Sequence, residues 1–198
     1  MVGGVKALYA VLLALVLGVG CGKKGERLLP PEPPKTVPVN IADPIFEKAI
    51  REELEKPTGE LTKADLEKVT GLDFNGNNLT ELPKGMEKLT QLEKLDLGAN
   101  KLTDVTGLEK FDQLQGLHLN NNQLTEVKGL GNLTQLKHLF LYNNKLTEVK
   151  GLGNLTQLTW LRLDNNQLTD VKGLENLTQL KYLRLAGNQL TDVKGLEK

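Results

Sequence analysis

Leu136-Lys137-His138-Leu139-Phe140-Leu141-Tyr142-Asn143-Asn144-Lys145-Leu146-Thr147-Glu148-Val149-Lys150-Gly151-Leu152-Gly153-Asn154-Leu155 is one copy of a pattern that recurs along the chain. Its asparagine returns as Asn100, Asn122, Asn144, Asn166 and Asn188, always 22 residues on. An earlier copy, Val69-x-x-Leu72-x-Phe74-x-x-Asn77-x-Leu79-x-x-Leu82, has an extra residue around Pro83 to Met86, so Asn77 stands 23 residues before Asn100. One copy cannot bury its own leucines, and copies must therefore stack into a solenoid. Each sends about seven apolar side chains inward, at roughly 1.5–3 kcal/mol apiece when fully buried. The alternating Leu-x-Leu segment predicts a short parallel strand, and the Val-Lys-Gly-Leu stretch a return in short 3-10 pieces. The asparagine slot predicts an internal ladder through Asn77, Asn100, Asn122, Asn144, Asn166 and Asn188, each amide satisfying backbone groups that the turn leaves unpaired.

The spelling Leu136-x-x-Leu139-x-Leu141-x-x-Asn144-x-Leu146 resembles the leucine-rich repeat in its 22-residue class. That resemblance implies an α/β solenoid, a horseshoe with parallel concave strands and short 3-10 convex segments over 69–198, six repeats with the last incomplete. Residues 40–68 read as helix instead. Asp43 can cap, Pro44 suits the first helical position, and Ile45, Phe46, Ala49, Ile50 and Leu54 share a face. Thr62-x-x-Asp65 has capping-box spacing ahead of Leu66 and Val69. Together the stretch resembles the N-terminal helical cap of internalin-like bacterial repeat proteins. At the other end, Lys198 falls part-way through a convex segment. Leu180, Leu183, Leu185, Leu190 and Val193 are expected to face solvent edge-on there, which reads either as a truncated product or as an end that pairs with another molecule.

Ahead of the helices, Lys6 precedes an apolar run from Ala7 to Val19 that is short for a bilayer span. The run closes on Gly18-Val19-Gly20-Cys21, which resembles a bacterial lipoprotein signal. The resemblance implies cleavage of residues 1–20, a lipid on Cys21, and anchoring in the cell envelope, in the outer membrane where the cell has one. The same residues also read as a secretory signal with an incidental cysteine. Residues 21–39, with Pro30, Pro31, Pro33, Pro34 and Pro38, favour extended backbone and read as a tether.

Composition excludes several classes. Twenty-five basic side chains balance 25 acidic ones, so nucleic acid, which selects a basic face, is not an expected partner. Serine is absent and cysteine occurs once, which removes serine or cysteine triads and any intrachain disulfide. His118 and His138 fall in different columns without a third ligand, so no metal is expected. There is no phosphate-binding loop, no cofactor is implied, and the chain does not read as an enzyme.

What varies is the outward face of the strands. The position before the inward leucine runs Gly71, Lys94, Gly116, His138, Trp160, Tyr182. The next outward position runs Asp73, Asp96, His118, Phe140, Arg162, Arg184, and the following one Asn75, Gly98, Asn120, Tyr142, Asp164, Ala186. Aromatics form only 4% of the chain, yet its only tryptophan and both histidines gather here. The candidate binding residues are accordingly His118, His138, Phe140, Tyr142, Trp160, Arg162, Asp164, Tyr182 and Arg184. Tryptophan, tyrosine and arginine are enriched at interface hot spots, so a protein or peptide is the expected partner; stacked rings also suit a glycan. The expected function is a membrane-tethered binding module. The alternatives are a structural or self-assembling envelope protein and a regulator of a partner enzyme. Packing of neighbouring strands would also gather such rings.

Overall fold

The computed structural model describes residues 37–196. The signal peptide, Cys21 and all but the last few residues of the proline-rich tether lie outside the described residues. Each repeat contributes one three-residue strand: β1 (Gly71–Asp73), β2 (Lys94–Asp96), β3 (Gly116–His118), β4 (His138–Phe140), β5 (Trp160–Arg162) and β6 (Tyr182–Arg184). They pair in chain order, all parallel, in one open sheet, and the fold is a leucine-rich repeat solenoid. The register puts identical slots side by side. Leu72, Leu95, Leu117, Leu139, Leu161 and Leu183 form one column, and Phe74, Leu97, Leu119, Leu141 and Leu163 a second, fully buried one. Equal side chains at equal heights pack without a step, which is why a constant period suffices to specify a continuous core.

Behind each strand, just before the repeat asparagine, the backbone enters the left-handed region at Gly76, Ala99, Asn121, Asn143, Asn165 and Gly187, with φ of 52–71°. Asparagine tolerates that region better than other residues with a Cβ. The chain then returns through 3-10 turns at Met86–Lys88, Leu108–Lys110, Leu130–Asn132 and Lys150–Leu152. The exposed Lys150–Glu148 and Lys172–Asp170 pairs, at 3.1 and 3.2 Å, form within a repeat rather than between repeats.

The asparagine column explains how the strand-to-turn corner is satisfied. Asn144 Oδ1 accepts from Leu124 N–H at 3.0 Å, while its Nδ2 donates to Leu119 and Leu141 carbonyls at 2.9 and 3.0 Å. Asn100, Asn122 and Asn166 repeat the arrangement and are likewise buried. Asn188 repeats it half-buried. Asn77 stands apart: it is exposed and its amide donates only to Asn75 O, at 3.2 Å. The ladder needs backbone groups from the preceding repeat, and helix, not another strand, precedes β1.

That helix is α1 (Pro44–Glu53), followed by a single turn, α2 (Lys63–Leu66). Asp43 Oδ1 accepts from Ile45 and Phe46 N–H at 2.9 and 3.1 Å, and Asp43 Oδ2 from Lys84 N–H of the first repeat at 3.3 Å. Phe46, Ala49 and Ile50 are buried in the same apolar core as the repeat leucines. Thr62 and Asp65 form a reciprocal capping box, and Lys56 Nζ reaches Asp65 at 2.7 Å. At the other end, Leu180, Leu183, Leu185 and Leu190 are only partly buried and Val193 is 48% exposed.

Candidate functional site

Parallel pairing turns the variable strand positions into rows across the sheet. His138 lies beside Trp160 and Trp160 beside Tyr182; His118 lies beside Phe140, Phe140 beside Arg162, and Arg162 beside Arg184. The rings meet. His118 stacks on Phe140 with centroids 4.5 Å apart, Phe140 meets Trp160 edge-on at 6.4 Å, and Trp160 lies 4.5 Å from Tyr182. Four strands thus share one unbroken line of aromatic contacts. Among the described residues, the exposed large hydrophobics are Val37, Trp160, Tyr182 and Val193, so two of the four are neighbours on this face. His138 is exposed in the same row, without a ring contact of its own.

The charged members do different work from one another. Asp164 is 5% exposed and receives Arg162 at both oxygens, from Nε at 3.1 Å and from Nη2 at 2.8 Å. Arg162 also lies 4.0 Å over the Tyr142 ring, and the bonded Asp164 carboxylate raises its pKa further above the usual guanidinium value. Arg184 Nε is 3.8 Å from Asp164, beyond hydrogen-bond reach, and its side chain is half exposed. One buried carboxylate thus serves two guanidiniums. Asp164 is the support of this cluster rather than a group free to meet a ligand, and Arg184 is its outward cation.

A second charged group sits on β2 and β3. His118 Nδ1 is 3.0 Å from Asp96 Oδ2, while Asp96 Oδ1 accepts from Gly98 N–H at 2.8 Å and from Asn75 Nδ2 at 3.3 Å. Burial pushes the Asp96 carboxyl up, but the bonds from His118, Gly98 and Asn75 together outweigh it and hold the pKa below the ordinary value.

Sequence reasoning passed over the residues beside this histidine. A hollow of about 490 Å³ opens on the face between Lys94, Gly116, His118, Lys137, Phe140 and Trp160, with Leu95 at its floor. Gly116 is the signal that could have revealed it: a glycine in a row otherwise filled, from β4 onward, by large side chains. Among the described residues no group of three or more His, Cys, Asp or Glu side chains could hold a metal ion, and no helix is long and apolar enough to cross a membrane.

A sheet face of this kind, on a stack of leucine-rich repeats, defines the class. The chain belongs to the leucine-rich repeat family, whose model for "Leucine Rich repeats (2 copies)" matches residues 67–110, 112–154 and 156–198. Among solved structures it is similar to an internalin C2 from Listeria monocytogenes, at 26% identity and a TM-score of 0.55, over 80% of this chain and 90% of that one. It is also similar to a leucine-rich repeat protein from Leptospira interrogans, at 30% identity and a TM-score of 0.53, over 67% of this chain and 41% of that one. No curated protein matches the chain. Proteins of this fold are generally binding modules, and proteins are their common partners.

Proposed function

We propose that this protein is an envelope-anchored binding module that holds a protein or peptide on the outer face of its sheet. The observation that carries the reading is the continuous ring contact from His118 through Phe140 and Trp160 to Tyr182, exposed at its later end beside Arg184. Aromatic side chains left at the surface next to a half-exposed arginine are the composition of an interface hot spot. Packing between strands would explain the contacts but not the exposure of Trp160, which has a strand on each side. The lipid on Cys21 and the tether of residues 21–39 place the sheet at a distance from the membrane. Helices α1 and α2 cap the first repeat, because Phe46 and Ile50 cover core that would otherwise meet water. No step of this function asks for catalysis.

Two measurements test the reading. Capture from envelope extracts should retain a partner on residues 22–198 and lose it with Trp160→Ala combined with Arg184→Ala. Equal capture by both proteins would remove the face from consideration. Arg162 is left intact because its loss would strand the buried Asp164. Separately, labelling of growing cells with a palmitate analogue should mark the full chain and spare Cys21→Ala; label on neither would withdraw the anchor.

A further inference from the structure

The glycine at position 116 has no local cause. Its backbone is not left-handed, and a Cβ built there would meet only Lys94 Cγ, at 3.9 Å. Gly98, one strand earlier, shows what necessity looks like: a Cβ there would lie 2.8 Å from Asn75 Nδ2, 3.0 Å from Asp96 Oδ1 and 3.1 Å from Asn120 Nδ2. Glycine inside a strand weakens it, since it loses the most freedom on folding and offers nothing to pack. At Gly116 the sheet therefore carries a weakening residue that the fold does not ask for, and its effect is to open the hollow between Lys94 and Trp160.

The lining of that hollow says what fits it. The stacked His118–Phe140 pair forms one wall and the Trp160 ring another. Its surface is mostly carbon, with the side chains of Lys94 and Lys137 at the rim. Lys94 and Lys137 are the cations of the lining, and its one carboxylate, Asp96, is already committed. Asp96 is held by His118, Asn75 and Gly98, while Lys137 Nζ donates at 2.9 Å to the neutral Gln115 Oε1. Neither Lys94 nor Lys137 forms an ion pair among the described residues. An apolar hollow with aromatic walls favours an aromatic ring at offset or edge geometry, and unpaired ammonium groups at its mouth favour carboxylates beside that ring.

We infer that the Gly116 hollow receives an aromatic side chain from a partner protein, carried on an acidic segment whose carboxylates meet Lys94 and Lys137. This rests on the proposal that the sheet face is the recognition surface, and adds where the anchor residue sits and what flanks it. The pocket depends on the side chain that is missing: a larger residue at position 116 closes the hollow without removing any contact that the fold uses.

Trp160 is the only tryptophan of the chain, and it lines the hollow, so its emission reports occupancy directly. The probe is a blocked pentapeptide of two glutamates, phenylalanine and two glutamates, titrated into residues 22–198. Saturable quenching or a blue shift of Trp160 emission is expected. It should be at least tenfold weaker when alanine replaces the phenylalanine, when lysines replace the glutamates, and in Gly116→Leu. Thermal unfolding followed by circular dichroism should show Gly116→Leu folded and no less stable than the parent. No emission change up to millimolar peptide, or equal affinity of parent and Gly116→Leu, overturns the inference, as does equal binding of the lysine peptide. A natural partner captured by Gly116→Leu but lost with Trp160→Ala and Arg184→Ala would sink the hollow and leave the face standing.

Discussion

Position along the stack decides what an identical residue is worth. Asn144 serves three buried backbone groups, Leu124 N–H and the carbonyls of Leu119 and Leu141. Alanine there leaves Leu124 N–H unpaired away from water, while Asn122 and Asn166 still donate to the two carbonyls, and it should cost about 2 kcal/mol in a denaturant titration. Asn77→Ala, at the same repeat slot but exposed with a single bond, should stay within about 0.5 kcal/mol of the parent. Ala99 shows the reverse opportunity. It holds φ 52° without glycine or asparagine, next to a row in which Asn143 donates to Asn121 at 2.6 Å and Asn165 to Asn143 at 2.7 Å. Ala99→Asn suits the left-handed backbone and offers Asn121 an acceptor, so it should stabilise by about 0.5–1 kcal/mol and raise Tm by a few degrees. An unchanged or lower Tm would mean that the amide row does not extend to β2.

Among the elements, the strands gain their order from neighbours, whereas the helices carry their own signals. Three residues cannot hold a strand alone; Asp43, Pro44 and the Thr62–Asp65 box start helices from local chemistry. The box also carries a pH dependence. The Lys56 ammonium and then the Thr62 hydroxyl and N–H lower the Asp65 pKa from 3.8 to about 2. A depressed folded pKa gives stability that is fully present above the ordinary value and lost as pH falls through the folded one. Between about pH 4 and pH 2 the protein should therefore lose on the order of 1–2 kcal/mol from this group, and Asp65→Asn should flatten that part of the stability profile. If parent and variant fall in parallel, the Lys56 contact at 2.7 Å does not persist in solution.

For the whole molecule, a stack of repeats has a middle and two ends, and burial follows that geometry. Leu139 is fully buried between strands on both sides, whereas Leu183, in the same column, is only partly buried. Leu139→Ala should cost about 2–5 kcal/mol, and Leu183→Ala distinctly less. Amide exchange should be slower across β3 to β5 than at β6, because local opening follows contact density. Uniform protection over all six strands would show the array unfolding as one unit.

The sequence by itself determined the solenoid, because the repeat encodes its own register: leucine, asparagine and glycine return at a fixed spacing, and only parallel stacking in register buries every copy. It also marked α1 and α2 through Asp43, Pro44 and Thr62, whose capping acts within a few residues. The outward rows of the sheet could be read from the alternation around each leucine. What only the tertiary structure decided is which outward side chains engage one another and what space lies between them. Asp164 follows Arg162 by two positions in the chain, yet its burial beneath that guanidinium depends on how β5 sits between its neighbours. Gly116 reads as one small residue among many. Its hollow exists because β2, β3 and β4 bring Lys94, His118, Phe140 and the stem of Lys137 around it, and Trp160 closes the side from β5. Local patterns carry the backbone; a pocket is the space left between side chains far apart in the chain, and its shape is fixed only once they are packed.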